Sequence, residues 1–139
     1  MHASCKLKTT FIESCSTVRS EILYRINSNT NWIDPHNAGS YKLVEESSTL
    51  LLIERVTGTS SWTKYLDKLT IEFHPLNTGC IIEACSESQG TSILDHSTNY
   101  CNIHDLYCSD DSCKSKKQLH YTEEKTSCSQ SALQNCYAI

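Results

Sequence analysis

The chain of 139 residues is poor in glycine and proline, and it has no long hydrophobic run. No repeat or low-complexity linker is visible. The longest apolar run, from Thr49 to Ile53, is strand-sized and far short of the roughly 20 residues that a membrane-spanning helix needs. Basic residues are also in deficit, since 12 Lys and Arg face 16 Asp and Glu, which argues against a nucleic-acid-binding protein. We therefore expect a single domain over residues 1–139, with no nucleic-acid partner and no membrane span.

Hydrophobic residues are scarce as well, and cysteine is abundant. Counted without tyrosine and with glycine, about 36 % of the residues are apolar, below the roughly 45–50 % that is typical of globular domains. Nine cysteines, with spacings such as Cys80/Cys85, Cys101/Cys108/Cys113 and Cys128/Cys136, are typical of a disulfide-bonded protein in an oxidising compartment. We expect Cys5 to be free or to form a disulfide-linked dimer, and Cys15 to tie a helix to the later half of the chain. We expect four disulfides among the other eight, Cys15, Cys80, Cys85, Cys101, Cys108, Cys113, Cys128 and Cys136.

The first ten residues do not form a secretory signal peptide. They lack a basic segment followed by about 7–15 apolar residues. We expect that such a signal has been removed and that the protein is secreted or extracellular. The alternative is a cytosolic protein whose cysteines are free or metal-bound. Because there is no C-x-x-C pair, we expect no metal and no cofactor.

The spacing of apolar residues predicts one helix followed by a sheet. Phe11, Cys15, Val18, Ile22 and Ile26 follow one another in steps of three and four, which predicts an amphipathic helix at about 7–27. The period then changes to two, and four strands with short links predict an antiparallel meander at about 40–86. The expected fold is α+β, with this helix packed on the meander in the order of cystatin-like folds. Residues 87–139 are expected to form a cysteine-rich tail stapled by disulfides, with one strand around 118–123.

Two groups of polar residues are candidate ligand-binding residues. Trp32, Asp34 and His36 lie in a turn and would form a small polar pocket with an aromatic wall. The alternative is that Asp34 bonds its own turn backbone and that Trp32 covers the end of an element. Glu87 and Gln89 follow the last strand of the meander, where we expect them to contact a partner. The alternative is that they form hydrogen bonds with loop amides.

Charged residues in the meander are expected on the solvated face of the sheet. This set comprises Arg55, Lys64, Asp67 and Lys68.

One string of residues is enzyme-like. His104 and Asp105 lie between Cys101 and Cys108, in a spacing that resembles the catalytic His-Asp pair of secreted phospholipases A2. That resemblance implies a histidine that activates water and an aspartate that helps to hold calcium. The chemistry also needs a glycine-rich calcium loop upstream, and Gly90 is the only glycine after Cys80. We therefore expect no catalytic residues and a solvated His104–Asp105 pair in a stapled loop.

Four segments together resemble a pattern in small, cysteine-rich, secreted eukaryotic proteins of unknown function, many of them from protists and algae. The segments are 32–41 (WIDPHNAGSY), 54–58 (ERVTG), 84–89 (ACSESQ) and 98–102 (TNYCN), the last continuing at 106–108 (LYC). The resemblance implies a secreted, disulfide-bonded protein and names no substrate.

The sequence thus predicts a noncatalytic, secreted, disulfide-stabilised binding or interaction protein. Its partner would be an extracellular protein or a small ligand. One alternative is a small secreted hydrolase of phospholipase-A2-like chemistry, using His104 and Asp105. Another is a carrier that holds a small apolar ligand between helix and sheet.

Overall fold

The computed structural model describes residues 2–58, 64–90 and 95–137. In chain order the elements are β1 (Ser4–Phe11), α1 (Cys15–Ile26), β2 (Ser40–Glu46), β3 (Leu50–Val56), β4 (Leu66–Pro75), β5 (Cys80–Ser88), α2 (Thr98–His104) and β6 (Tyr121–Cys128), with short 3-10 helices at Asp111–Cys113 and Leu133–Tyr137. Within the described residues, six strands form one antiparallel sheet in the order β2-β3-β4-β5-β1-β6. Parts of the predicted sheet and tail, at 59–63, 91–94 and 138–139, lie outside these residues.

The prediction of a helix over 7–27 is wrong in its first third. Ser4–Phe11 is a strand, and Cys5, Leu7, Thr9 and Phe11 alternate inward with a period of two. The helical spacing begins only at Cys15, where Ser14 caps α1 by accepting a hydrogen bond from the Thr17 amide at 3.2 Å. Phe11 happens to be in phase with both periods, which explains the error.

The predicted four-stranded sheet is wrong because two strands were assigned elsewhere. The antiparallel order β2-β3-β4-β5 agrees with the meander, but the sheet continues past β5. There β1 pairs with β5 on one side and with β6 on the other. The first and the last strand of the chain are therefore neighbours, which a cystatin-like order of one helix and four strands does not contain.

The C-terminal part of the chain is packed and not merely stapled. α2 lies on β1 and β5, and residues 99–108 are all buried. Tyr100, Ile103, Leu106 and Tyr107 join the main hydrophobic core, together with side chains from α1 and the sheet. The prediction of an unpacked tail is wrong because α2 has only seven residues, and an apolar pattern of that length is hard to recognise among polar neighbours.

Both helices cover one face of the sheet. That face carries the core residues Leu51, Ile53, Leu69, Ile71, Phe73 and Ile82, which pack with Val18, Ile22 and Ile26 of α1. The residues in the opposite phase are exposed, among them Lys6, Lys8, Lys68, Glu72, Glu83 and Glu87. We call this second surface the open face.

Four disulfides connect eight of the nine cysteines. They join Cys5 to Cys128, Cys15 to Cys80, Cys101 to Cys136 and Cys108 to Cys113. The prediction that Cys15 reaches the later half of the chain is confirmed, since Cys15 bonds Cys80. The two largest loops close over 123 and 65 residues, and cross-links of this span typically contribute about 4–5 kcal/mol by restricting the unfolded chain.

The prediction for Cys5 and Cys85 is reversed by the strand phase. Cys5 points into the core and lies directly beside Cys128 in the β1–β6 register, so it is bonded and not free. Cys85 is the free cysteine of the described chain and lies half-buried on the open face, between Thr70 and Lys6 on the flanking strands. Neither neighbour is a cysteine, so Cys85 has no partner there.

Within the described ranges, no helix has the length and apolar character that would let it cross a bilayer.

Candidate functional site

The turn that contains Asp34 and His36 is held by a buried arginine. The Asp34 carboxylate accepts hydrogen bonds from the His36 amide at 3.0 Å and from Arg55 Nε at 3.1 Å, and Arg55 Nη2 also donates to it. Arg55 further donates to the His36 carbonyl at 2.7 Å and to Asn37 Oδ1 at 2.8 Å. A Cβ at Gly39 would lie 2.3 Å from the guanidinium carbon, so only glycine allows this approach.

The prediction that Arg55 and Asp67 lie on the solvated face is wrong. Their side chains point toward the helices and are 1 % and 2 % exposed as residues. Arg55 continues the inward row of Leu51 and Ile53, so strand period alone would have placed it inside. Lys64 and Lys68 are exposed, as predicted.

Side chains of α2 extend the network that begins at Asp34. Asn102 donates to Asp67 at 2.7 Å and to Ser86 at 3.0 Å, while its carbonyl accepts from Tyr41 at 3.1 Å. Asn99 is bonded to Ser86 at 2.7 Å, and Thr98 to His36 at 3.2 Å. We call this set, with Asp34, Arg55 and Asp105, the buried polar network. It includes residues from 32–41, 54–58, 84–89 and 98–102, on which the resemblance to cysteine-rich secreted proteins rests.

Asp105 lies in the protein interior close to Asp34 and Arg55. Burial raises the pKa of Asp105 well above its ordinary value, and the charge and hydrogen bond of Asp34 raise it further, whereas Arg55 and Arg25 oppose the shift. Asp105 is fully buried. Burial beside a second carboxylate thus disfavours the charged form of Asp105, which is the expected behaviour of an acid removed from water.

His104 belongs to a second cluster, on the other side of α2. We call it the histidine–tyrosine cluster, and it comprises His104, Glu123, Tyr100, Tyr107 and Tyr137. His104 Nδ1 lies 2.8 Å from Glu123 and Nε2 lies 2.8 Å from the Tyr137 hydroxyl. Tyr100 donates to Glu123 at 2.7 Å, and Tyr107 donates to its other oxygen. Tyr137 donates outward to Asp110 at 2.7 Å.

The ionisation of this cluster follows from its hydrogen bonds. Burial by itself raises the pKa of Glu123, but hydrogen bonds from His104, Tyr107 and Tyr100 outweigh it and hold the pKa below its ordinary value. Burial and the carboxylate of Asp110 raise the pKa of Tyr137. Glu123 is thus a charged acceptor and Tyr137 a neutral donor, so the cluster is an electrostatically satisfied unit.

His104 and Asp105 are neighbours in sequence but point into different clusters. His104 is 3 % exposed and Asp105 0 %, so the prediction of a solvated pair in a loop is wrong. Tyr100, His104 and Tyr107 recur at helical spacing, as do Cys101, Asp105 and Cys108. That periodicity was the signal in the sequence that could have placed the first set on one face and the second on another.

His104, Asp105 and Cys108 also bring three ligand-type atoms within 4.8 Å of one another. Their chemistry does not suit a metal ion. The Cys108 sulfur is bonded to Cys113 and so is not a thiolate. Arg25 donates to the Asp105 carbonyl at 2.9 Å and to the Cys108 carbonyl at 2.7 Å, which puts a guanidinium cation beside the three residues.

The five candidate ligand-binding residues do not meet in one site. Asp34 and His36 are buried in the network, and burial, aided by the charge of Arg55, lowers the pKa of His36. Trp32 is half-buried and donates from its indole nitrogen to the Cys113 carbonyl at 2.8 Å. Glu87 is exposed in the outward phase of β5, across the sheet from the network, and Gln89 is exposed just beyond that strand.

Three open grooves on the described surface are large enough for a small ligand. They have volumes of about 450, 610 and 510 Å³ and lie beside the β4–β5 turn, between α1 and the β2–β3 turn, and along the outer side of α1. None of the five candidate residues and neither residue of the His104–Asp105 pair lines any of these three grooves.

No known protein family, curated protein or solved structure matches this chain. The resemblance of its four segments to small secreted proteins therefore stays a prediction, and the geometry of the molecule carries the functional argument.

Proposed function

We propose that the protein is a noncatalytic, extracellular binding protein in which disulfides and a buried polar network hold a rigid surface. The observation that carries the proposal is the engagement of both ring nitrogens of His104, by Glu123 and by Tyr137. A general base needs a ring nitrogen within reach of water or substrate. In this protein, the histidine with enzyme-like spacing acts as an internal tie between α2, β6 and the C-terminal turn.

The extracellular part of the proposal rests on covalent chemistry. Four disulfides persist in an oxidising environment, and glutathione keeps most cytosolic thiols reduced. The resemblance to small cysteine-rich secreted proteins supports the same location. The residues in those segments serve the buried polar network, which fits a common scaffold better than a common active site.

The hydrolase alternative has weaker support. Asp105 is fully buried, and burial raises the pKa of its carboxyl group, which disfavours the exposed, charged carboxylate that a calcium site needs. The carrier alternative is also weaker, since Val18, Ile22, Leu69 and Ile71 are fully buried in one cluster between α1 and the sheet. A ligand there would have to displace core side chains.

A turnover assay tests the noncatalytic part. Phospholipid vesicles are incubated with the oxidised protein in about 5 mM calcium, which exceeds the dissociation constants of about 0.1–1 mM of extracellular calcium modules, and fatty-acid release is measured. We expect release at the rate of the buffer control. Calcium-dependent release that Asp105→Asn abolishes would contradict the proposal.

A binding array tests the positive part. Labelled oxidised protein is applied to an array of extracellular-matrix proteins and saccharides, with reduced and alkylated protein as the control. We expect saturable binding of the oxidised form to at least one component and loss of that binding on reduction. Absence of saturable binding across the array would contradict the proposal, and a lipid adduct in native mass spectrometry would favour the carrier.

A further inference from the structure

One of the three grooves has the chemistry of a binding site. It runs along α1, has a volume of about 510 Å³ and is bounded on its other side by the loop at 114–117. Ser16, Thr17, Ser20 and Tyr24 line it from the helix, at spacings that put them on one face. Lys116 and Lys117 line it from the loop. We call it the α1 groove.

A buried glutamate fixes the loop that carries the two lysines. Glu21 is 2 % exposed, and its carboxylate accepts from the backbone amides of Lys116 at 3.1 Å and Lys117 at 2.8 Å. Arg25 donates to the same carboxylate at 2.8 Å and compensates its charge. The Glu21 carboxylate is thus occupied by partners within the protein. Because its hydrogen bonds hold the loop in place before any ligand binds, the entropy cost of binding is lowered.

The lysine side chains themselves stay exposed. Among the ion pairs of the described residues none involves Lys116 or Lys117, so neither ammonium lies within 4.0 Å of a described carboxylate. Lys116 Nζ lies 5.2 Å from the centre of the Tyr24 ring, an arrangement that holds the amine over the groove. Lys114 is exposed in the same loop. This basic loop stands out on a chain whose formal net charge is −4.

We propose that the α1 groove binds a short sulfated oligosaccharide. Two ammonium groups pair with sulfates, and serine and threonine hydroxyls donate and accept hydrogen bonds with sugar hydroxyls. The net negative charge of the protein disfavours long polyanions such as nucleic acids, which would extend beyond the groove. The proposal rests on the extracellular binding function argued above and names its ligand class.

A titration with a defined probe tests the proposal. A fluorescent heparin-derived hexasaccharide is titrated with oxidised protein, and anisotropy is measured at 50 and 150 mM NaCl. With two lysine contacts, counterion release predicts that the affinity falls about fivefold between the two salt concentrations. The desulfated hexasaccharide should not bind. No binding of the sulfated probe at 50 mM NaCl, or equal binding of the desulfated probe, would overturn the proposal.

Paired variants separate the groove from general charge effects. Lys116→Gln/Lys117→Gln should weaken binding at least tenfold, whereas Lys8→Gln/Lys68→Gln, which removes two charges from the open face, should change it less than twofold. Thermal melts check that both variants stay folded, as expected for exposed side chains. Equal losses in the two variants would refute a role for the groove.

Two further arms identify the ligand class and the point of failure. Inositol hexakisphosphate should compete more weakly than the sulfated probe, and stronger competition would overturn the sulfated-saccharide class in favour of a phosphorylated ligand. If the sulfated probe fails while another component of the array binds, the groove assignment falls and the binding function stands. Vesicle hydrolysis would instead refute the noncatalytic function and leave the titration to be judged separately.

Discussion

Replacing His104 with alanine tests whether the histidine–tyrosine cluster stabilises the fold. The ring is 3 % exposed and hydrogen-bonded at both nitrogens, to Glu123 and to Tyr137. Leaving a buried polar group without its hydrogen-bond partner typically costs about 1–3 kcal/mol. Glu123 keeps its donors Tyr100 and Tyr107, and its side chain is 14 % exposed, so we expect a loss of about 2–4 kcal/mol once the cavity that the ring leaves is included.

Urea unfolding with intact disulfides measures this change. Circular dichroism and fluorescence should give coincident urea transitions, so that the free energy of unfolding is defined. In a separate thermal scan, the melting temperature of His104→Ala should lie roughly 5–12 °C below that of wild type. His74→Ala is the matched control, because that side chain is 48 % exposed on the open face and its removal should change the free energy by less than about 0.5 kcal/mol.

A double-mutant cycle then assigns the effect to its partner. His104→Ala and Glu123→Gln should be non-additive by about 1–3 kcal/mol, since each removes the same contact. If His104→Ala costs no more than His74→Ala, or if the two changes add, the reasoning about the cluster is refuted.

Three further predictions concern the thiol, the acid limb and the core. Iodoacetamide should label one thiol, that of Cys85, in the native, unreduced protein. The labelling rate should still rise above pH 9, because burial raises the pKa of Cys85. Labelling of the Cys85→Ser variant, or of several thiols in wild type, would contradict the disulfide assignment. Because the pKa of Glu123 is lower in the folded protein than its ordinary value of 4.5, the ionised carboxylate stabilises the fold above pH 4.5, and this contribution is lost as the pH falls further. The free energy of unfolding of wild type should therefore decline more steeply below pH 4.5 than that of Glu123→Gln. Parallel curves for the two proteins would contradict this role of Glu123. Ile71→Ala should cost about 2–5 kcal/mol in urea unfolding, since the side chain is fully buried beneath α1, and a loss below about 0.5 kcal/mol would mean that this face is not core.

Periodicity in the sequence located the elements that are long and strongly patterned. The strands from Leu50 to Val56 and from Leu66 to Pro75 alternate clearly and pair as expected. The strand Ser4–Phe11 escaped because its last residue also fits the helix that follows, and a single residue cannot decide between two periods.

The candidate site was harder to predict because its contacts join distant parts of the chain. Glu123 reaches His104 across 19 residues, Asp34 reaches Arg55 across 21, and Lys117 reaches Glu21 across 96. None of these pairings follows from local spacing. The pairing of the cysteines could not be predicted for the same reason. It depends on the register of β1 between β5 and β6, which turns Cys5 inward and Cys85 outward.

The bond between the first and the last strand also determines how the protein responds to force. A pull on the segments before Cys5 and after Cys128 is carried by a covalent bond, and the 123-residue span that it closes cannot be stretched while the bond is intact. At about 3.6 Å per residue, roughly 440 Å of contour length is hidden from a mechanical load. An optical-trap trace of the oxidised protein should therefore show almost no unfolding extension, and the full length should appear only after a reductant has opened this link and the other three disulfides.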